Sequence, residues 1–198
     1  MEPRPSVVVL AGPNGAGKST VAPMLLREAR LDMRQFVNAD EIARELSPSD
    51  PASVAVPAGR KMLSRLHELA RQRQSFAFET TLASRHFSGW LEGLLEAGYS
   101  LHILFLWLSS PQLARARVES RVIRGGHDVP EDIVRRRYTR GLRNFFDLYQ
   151  RLATTWQMYD SSVGNTPMLI AMGSGQTVTH VSNSTTWADI QRGAHGIE

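Results

Sequence analysis

Near the N-terminus the residues Gly12-Pro13-Asn14-Gly15-Ala16-Gly17-Lys18-Ser19 complete a G-x-x-x-x-G-K-S loop, followed by Thr20. Glycines in this pattern let successive backbone N–H groups converge on an anion, and a helix that starts at the lysine adds the positive end of its dipole. In such a cradle the lysine stands between β- and γ-phosphates, and the serine offers its hydroxyl to Mg²⁺. Gly12 to Thr20 are therefore the expected ATP site, with Lys18 as the phosphate lysine and Ser19 as the metal ligand.

Two further clusters carry carboxylates. Asn38-Ala39-Asp40-Glu41 closes an apolar run at Gln35–Asn38, so a strand there presents Asp40 at the edge that carries the phosphate loop. Asn38 and Glu41 stand three apart, as in a capping box ahead of Ile42 and Leu46. A cap accounts for those two residues and leaves Asp40 in the first turn, free to act as a general base toward a hydroxyl. Phe76-Ala77-Phe78-Glu79-Thr80-Thr81 reads as a strand ending in a carboxylate and two hydroxyls. Glu79 is suited to ordering Mg²⁺ waters or a substrate hydroxyl, and Thr80 and Thr81 to donating to phosphate or sugar oxygens, or else to capping the next helix.

Positive charge is concentrated rather than spread. The net charge is +4, yet Arg115 to Arg143 holds nine arginines against Glu119, Asp128, Glu131 and Asp132; only Lys18 and Lys61 are lysines. Arg117, Arg121 and Arg124 recur at four and three residues and share one helical stripe. Gly125-Gly126 follows as a hinge. A mobile arginine lid spanning about 115–137 is expected, suited to neutralising charge on a transferring phosphoryl group while water is excluded. His127, beside the glycines, suits a turn better than catalysis. Tyr138, Phe145, Phe146, Tyr149 and Trp156 fall near helical spacing and are read as core; Arg85 and His86 have no firmer claim than nearness to the hydroxyls.

The elements that must position these residues follow from the apolar pattern. Clusters at Ser6–Leu10, Gln35–Asn38, Ser75–Glu79, Ser100–Leu108 and Pro167–Met172, bounded by turn residues and separated by helical periodicity, predict an α/β fold with a five-stranded parallel sheet covered by helices on both faces. Ligands in such sheets gather at the carboxyl ends of the strands. Helices are expected at about Lys18–Arg30, with Pro23 kinking it or tightening its first turn, and at Val54–Gln72, Ser84–Ala97 and Pro111–Ile123. Another runs from Pro130 toward Trp156. The polar text of 173–198 has no clear reading.

With 198 residues a single domain over 1–198 is expected. Cysteine is absent, which excludes disulfides, thiol catalysis and Cys-ligated zinc. The longest nearly apolar run, Leu101–Leu108, is far below the ~20 residues of a membrane span, so a cytoplasmic protein without membrane contact is expected. One arginine patch in a phosphate-binding chain suits a lid better than a nucleic-acid surface.

Taken together, these blocks resemble the small zeta-toxin-like P-loop kinases of bacteria. The resemblance runs from Ala11–Thr20 through Phe36–Ile42 and Phe76–Leu82, then Arg117-Val118-x-x-Arg121-Val122, Gly125–Pro130, Arg136–Tyr138 and Tyr159-Asp160, in order. It implies a nucleoside-kinase-like P-loop NTPase that uses ATP and Mg²⁺ to phosphorylate a sugar nucleotide such as UDP-N-acetylglucosamine, with an antitoxin protein as partner. By position, Asp40 resembles the family's base, Lys18 its γ-phosphate lysine, and Glu79 with Thr81 its substrate-holding strand end; the family's lid implies two transition-state arginines, with Arg117 and Arg121 as the leading choices and Arg124 and Arg136 as substitutes. Ser161 stands where an asparagine is expected after Tyr159-Asp160, and Pro23 intrudes in the first helix. Kinases of another alcohol, such as an antibiotic or nucleoside, use the same machinery; an ATP-dependent switch binding protein or nucleic acid is the alternative of a different class.

Overall fold

The computed structural model describes residues 4–28, 35–126, 128–164 and 166–195. Its elements run β1 (Ser6–Ala11), α1 (Lys18–Glu28), β2 (Phe36–Val37), α2 (Ala39–Leu46), α3 (Ala55–Arg71), β3 (Phe76–Thr80), α4 (His86–Glu96) and β4 (Ser100–Trp107). There follow α5 (Pro111–Ile123), α6 (Glu131–Asn144), a π-helical turn at Phe145–Tyr149, α7 (Gln150–Leu152), β5 (Thr155–Asp160), β6 (Met168–Ser174), β7 (Thr177–Val181) and α8 (Ser184–His195).

One sheet joins all seven strands in the order β2-β3-β1-β4-β5-β6-β7. The first five positions are parallel, and β6 and β7 are antiparallel. The expected sheet is thus corrected from five strands to seven. The fifth parallel strand is Thr155–Asp160, where helical spacing had carried the reading on to Trp156. The run at Pro167–Met172 belongs to β6, which cannot be parallel to β5, because the few residues between them are too short for a crossover. β7 then returns as a hairpin through Gly175, whose φ of +52° suits the turn.

Two apolar layers cover the sheet. One gathers Val7, Val9, Phe76, Phe78, Leu101 and Ile103 with Leu66 and Leu69 of α3, Leu91 of α4, Phe145, Trp156 and Trp187. The other joins Val8, Leu10 and Leu106 to Val21 of α1 and to Ala114 and Val118 of α5. Burial on both faces explains why β1 reads as an unbroken apolar run. Helix α6 belongs to both layers, through Val134 to one and Leu142 to the other, so it passes over the sheet's carboxyl edge. The C-terminal elements are integral to the first layer: Trp187 stacks on Trp156 at 5.6 Å and 15°, and Trp156 Nε1 donates to Gly175 O at 2.8 Å.

Pro23 lies inside a continuous α1 whose first turn is tightened, with Gly17 O accepting from both Thr20 and Val21. The helix expected to reach Arg30 is described to Glu28. Among the described residues no helix is long and apolar enough to cross a membrane.

Candidate active site

The phosphate loop turns directly out of β1 because Gly12 and Gly15 stand where side chains cannot. A Cβ on Gly12, at φ +135°, falls 2.2 Å from Leu106 O of the neighbouring strand; one on Gly15, at φ +79°, falls 2.8 Å from Ala114 O of α5. The loop is therefore seated between β4 and α5, with its backbone exposed toward the carboxyl edge. Lys18, 5% exposed, folds back across it and donates to Gly12 O and Pro13 O, both at 2.9 Å. Burial pushes the Lys18 ammonium below its usual range, opposed by the charges of Glu79 and Asp40.

Glu79, at the carboxyl end of β3, is the hub of the site. Its Oε2 accepts from Ser19 Oγ at 2.8 Å and from Asn38 Nδ2 at 3.0 Å, and its Oε1 lies 3.6 Å from Lys18 Nζ. The three parallel strands β2, β3 and β1 deliver Asn38, Glu79 and the loop to one edge. Asn38 is almost wholly buried and serves twice: Nδ2 reaches Glu79, while Oδ1 accepts from Asp40 N at 2.8 Å and caps α2. The cap thus forms on Asp40 rather than Glu41, and it fixes the first turn from which Asp40 reaches the cavity.

That cavity, of about 590 Å³, is walled by residues 14–21 with Asp40 and Arg44 of α2, Glu79, Arg117, Ser120, Arg121 and Arg124 at α5, and Ser161, Gly164 and Pro167 after β5. The fold brings together the phosphate loop, Asp40, Glu79, Arg117 and Arg121. Among the described residues Thr80 and Thr81 are not part of its wall. Their hydroxyls instead accept from Leu82 N and Ala83 N within their own turn, and neither caps α4, which has no side-chain cap. Arg136 is exposed and outside the wall, whereas Arg124 belongs to it.

The arginines divide by partner. Arg115 is spent structurally on Glu119, Asp128 and Val129 O. Arg117 is anchored across the cavity by donating to Ser162 O at 2.9 Å. The glycines expected as a hinge end α5 instead: Gly125 N bonds Val122 O and Gly126 N bonds Arg121 O, with Gly125 at φ +85°, the double bond of a Schellman stop. His127 lies outside the described residues.

Two residues of the site escaped the reading of the sequence. Arg137, half-buried on α6, reaches Asn14 Oδ1 at 3.5 Å; burial holds its guanidinium below the usual value, and Asp40 pulls it back up. It shares its helix with Arg136, one of the two substitutes; both lie outside the cavity wall, and Arg137 is the one that the crossing of α6 over the sheet edge brings to Asn14. The other is Arg44, one turn beyond Asp40, whose i+4 spacing was the available signal.

Leu82 shows how α6 also fixes the turn that follows β3. It is fully buried with φ +54°, a left-handed conformation that is strained for a leucine. Asn144 Nδ2 holds Leu82 O at 2.8 Å, Tyr149 Oη donates to Ser84 O at 2.6 Å, and Gly141 lies so close that a Cβ there would be 2.2 Å from Thr81 O.

A family model for zeta toxin matches residues 1–163. A protein of Haemophilus influenzae, described only as uncharacterized, is 33% identical over 132 residues, which is 66% of this chain and 91% of that one. Among solved structures, the AvrRxo1-ORF1:-ORF2 complex with ATP has a TM-score of 0.73 at 15% identity, and the alignment covers 96% of this chain and 64% of that one. The PezAT chromosomal toxin–antitoxin system of Streptococcus pneumoniae gives 0.60 at 17%, over 96% and 77%. At these identities the likeness is one of fold, and the chain spans 64% of the AvrRxo1 chain. The strands β6 and β7 and helix α8 lie beyond the matched family segment.

Proposed function

This chain belongs to the zeta toxin family, and we propose that it is an ATP-dependent kinase of a small molecule, with a UDP-amino sugar such as UDP-N-acetylglucosamine as acceptor. The observation that carries this reading is the common cavity, in which the phosphate loop, Lys18, Glu79 and Asp40 share one wall with the arginines of α5. The triphosphate lies on Gly12–Thr20. Asp40, held by the Asn38 cap, takes the proton of the acceptor hydroxyl. The acceptor oxygen forms a bond to the γ-phosphorus as the bond to the bridging oxygen of ADP breaks, and ADP carries away that electron pair.

The donor set fits Mg²⁺, which needs one or two protein oxygens and fills its remaining positions with phosphates and water. The Ser19 hydroxyl and the Glu79 carboxylate, 2.8 Å apart beside the loop, would hold it directly or through water, and its charge would offset that of the phosphate tail. The protein's own residues do the rest. Lys18 leaves the loop carbonyls for phosphate, Arg117 and Arg121 answer charge on the transferring group from α5, and Arg137, from α6, answers it beside the loop at Asn14, in preference to the substitute Arg136. Thr80 and Thr81 keep their O–H groups to donate, since their oxygens only accept in the turn.

A partner protein that masks this site belongs to the same reading, by analogy with the toxin–antitoxin assembly of PezAT. The experiment for the reaction is incubation with γ-labelled ATP, Mg²⁺ and a panel of UDP-sugars, nucleosides and aminoglycosides, followed by location of the label. Label on a UDP-sugar hydroxyl supports the reading. Label on a nucleoside or antibiotic moves the acceptor class, and hydrolysis without transfer to any acceptor contradicts it.

A further inference from the structure

The helix that carries Asp40 into the site is lightly held. Strand β2 has two residues, and of the eight in α2 only Ala43 is buried, with Ala39 and Ile42 partly buried against the core. Asp40 itself is exposed at the start of the helix. Elements with so few buried contacts shift at small free-energy cost. What fixes the first turn of α2 is therefore the cap, the Asn38 side chain at the carboxyl end of β2.

Asn38 is 4% exposed and uses both arms of its amide. Oδ1 accepts from Asp40 N at 2.8 Å. Nδ2 donates to Glu79 Oε2 at 3.0 Å and lies 3.4 Å from Ser19 Oγ, which itself donates to Glu79 Oε2 at 2.8 Å. Ser19, Glu79 and Asn38 thus close a triangle that has one carboxylate oxygen as its apex. Donor and acceptor of an amide share one rigid plane, so Nδ2 cannot turn without moving Oδ1. Nor can it leave Glu79 freely, because a buried donor without a partner is costly. A ligand that takes the Ser19 hydroxyl at the phosphate loop changes what Glu79 Oε2 accepts. The Asn38 amide is the group that joins this change to the Asp40 N–H.

We propose that Asn38 is a positioning residue that couples the phosphate loop to Asp40: a nucleotide on the loop acts through Ser19 and Glu79 on the Asn38 amide, and the amide sets the first turn of α2 and with it the carboxylate. This rests on the kinase reading for the identity of donor and base and goes beyond it, since a shared cavity needs no such link between its walls. A cap alone does not require asparagine, because serine or threonine supplies the same oxygen. Among the capping side chains asparagine is the one that adds an N–H₂ donor on the opposite arm. Asp40 is then set for proton removal once the donor is in place, and by reciprocity nucleotide and acceptor favour one another's binding.

The test follows hydrogen exchange of the α2 amides with and without a non-hydrolysable ATP analogue and Mg²⁺, in wild type, Asn38→Thr and Asn38→Ser, beside calorimetric affinity for the analogue. Both variants keep a capping oxygen and lose the reach to Glu79. In wild type the analogue should slow exchange at the start of α2 about tenfold, the scale of ordinary coupling between sites. In the variants the analogue should bind as tightly as in wild type while α2 exchanges equally fast bound and free, and kcat should fall with KM for ATP unmoved. A variant whose α2 responds as the wild type does overturns the coupling and leaves the kinase reading standing, as does a wild type that binds the analogue without response. Loss of the fold or of analogue binding in both variants makes Asn38 structural and overturns it too. A response that depends on Asn38, with no transfer to any acceptor, supports the coupling and overturns the reaction. A wild type that does not bind the analogue overturns both.

Discussion

At the residue scale the site is a set of mutual constraints around Glu79. One carboxylate accepts from Ser19 and Asn38 and faces Lys18, so the Ser19 hydroxyl, the cap of Asp40's helix and the Lys18 ammonium share one anchor. Glu79→Gln keeps the shape and removes the charge. We expect a large fall in Mg²⁺-dependent turnover with an intact fold, measured by metal titration of the rate. Arg137 reaches Asn14 and senses Asp40; Arg137→Ala should lower kcat by about 10²–10³, whereas Arg136→Ala should leave it nearly unchanged, which steady-state kinetics of the two variants will separate. Lys18 gives a pH dependence. Burial lowers its pKa, so the ammonium loses its proton at lower pH than an exposed lysine, and nucleotide affinity falls as pH rises through that lowered value. Affinity measured across the alkaline range should weaken before an ordinary lysine titrates, and a flat profile would contradict the assignment.

At the element scale, what mattered was legible where composition and period agreed. The strand–loop–helix of β1 and α1 was announced by an apolar run and the glycine pattern; α5 was bounded by Pro111 and by Gly125-Gly126, and it runs over the expected residues, with Ser110 as a cap that the structure adds. β5 was not legible, because Trp156 falls in helical register with Phe145 and Tyr149, and no glycine or proline interrupts the segment before it. The aromatic residues were nonetheless rightly assigned to the core, since burial depends on their area whichever element carries them. Arg137 was hidden for a different reason: adjacent arginines on a helix differ only in direction, and direction is set by the crossing of α6 between two layers. The same crossing predicts a function for the far half of α6. Asn144→Ala removes the donor that holds Leu82 O and should raise KM for the acceptor, with KM for ATP unmoved. Gly141→Ala drives a Cβ into Thr81 O and should cost about 1–3 kcal/mol, read by urea denaturation.

At the scale of the whole molecule, the family segment ends before β6, yet the structure does not treat the remainder as an appendage. Trp187, Ile190 and Ala194 are buried in the same layer as β1 and β3, and the stacked Trp156–Trp187 pair joins α8 to the last parallel strand. Trp187→Ala should therefore lower global stability by about 3–5 kcal/mol in a single cooperative transition. Alkali acts on the same body through two tyrosines. Burial raises both Tyr138 and Tyr149 from 10.0 to about 12, and their hydroxyls donate to Leu108 O and Ser84 O. An acid whose folded pKa is raised stabilises fully below its unfolded pKa and loses that contribution as pH climbs to the folded one. Stability should fall between pH 10.0 and about 12, and the fall should be shallower in Tyr149→Phe.

The whole account places an acceptor alcohol between Asp40 and the end of a triphosphate. Its most direct measurement is single-turnover phosphoryl transfer by Asp40→Asn beside the affinity of the same variant for ATP. The account predicts unchanged ATP affinity with transfer slowed by about 10²–10⁴. Transfer at the wild-type rate in a protein that has lost this carboxylate would contradict it.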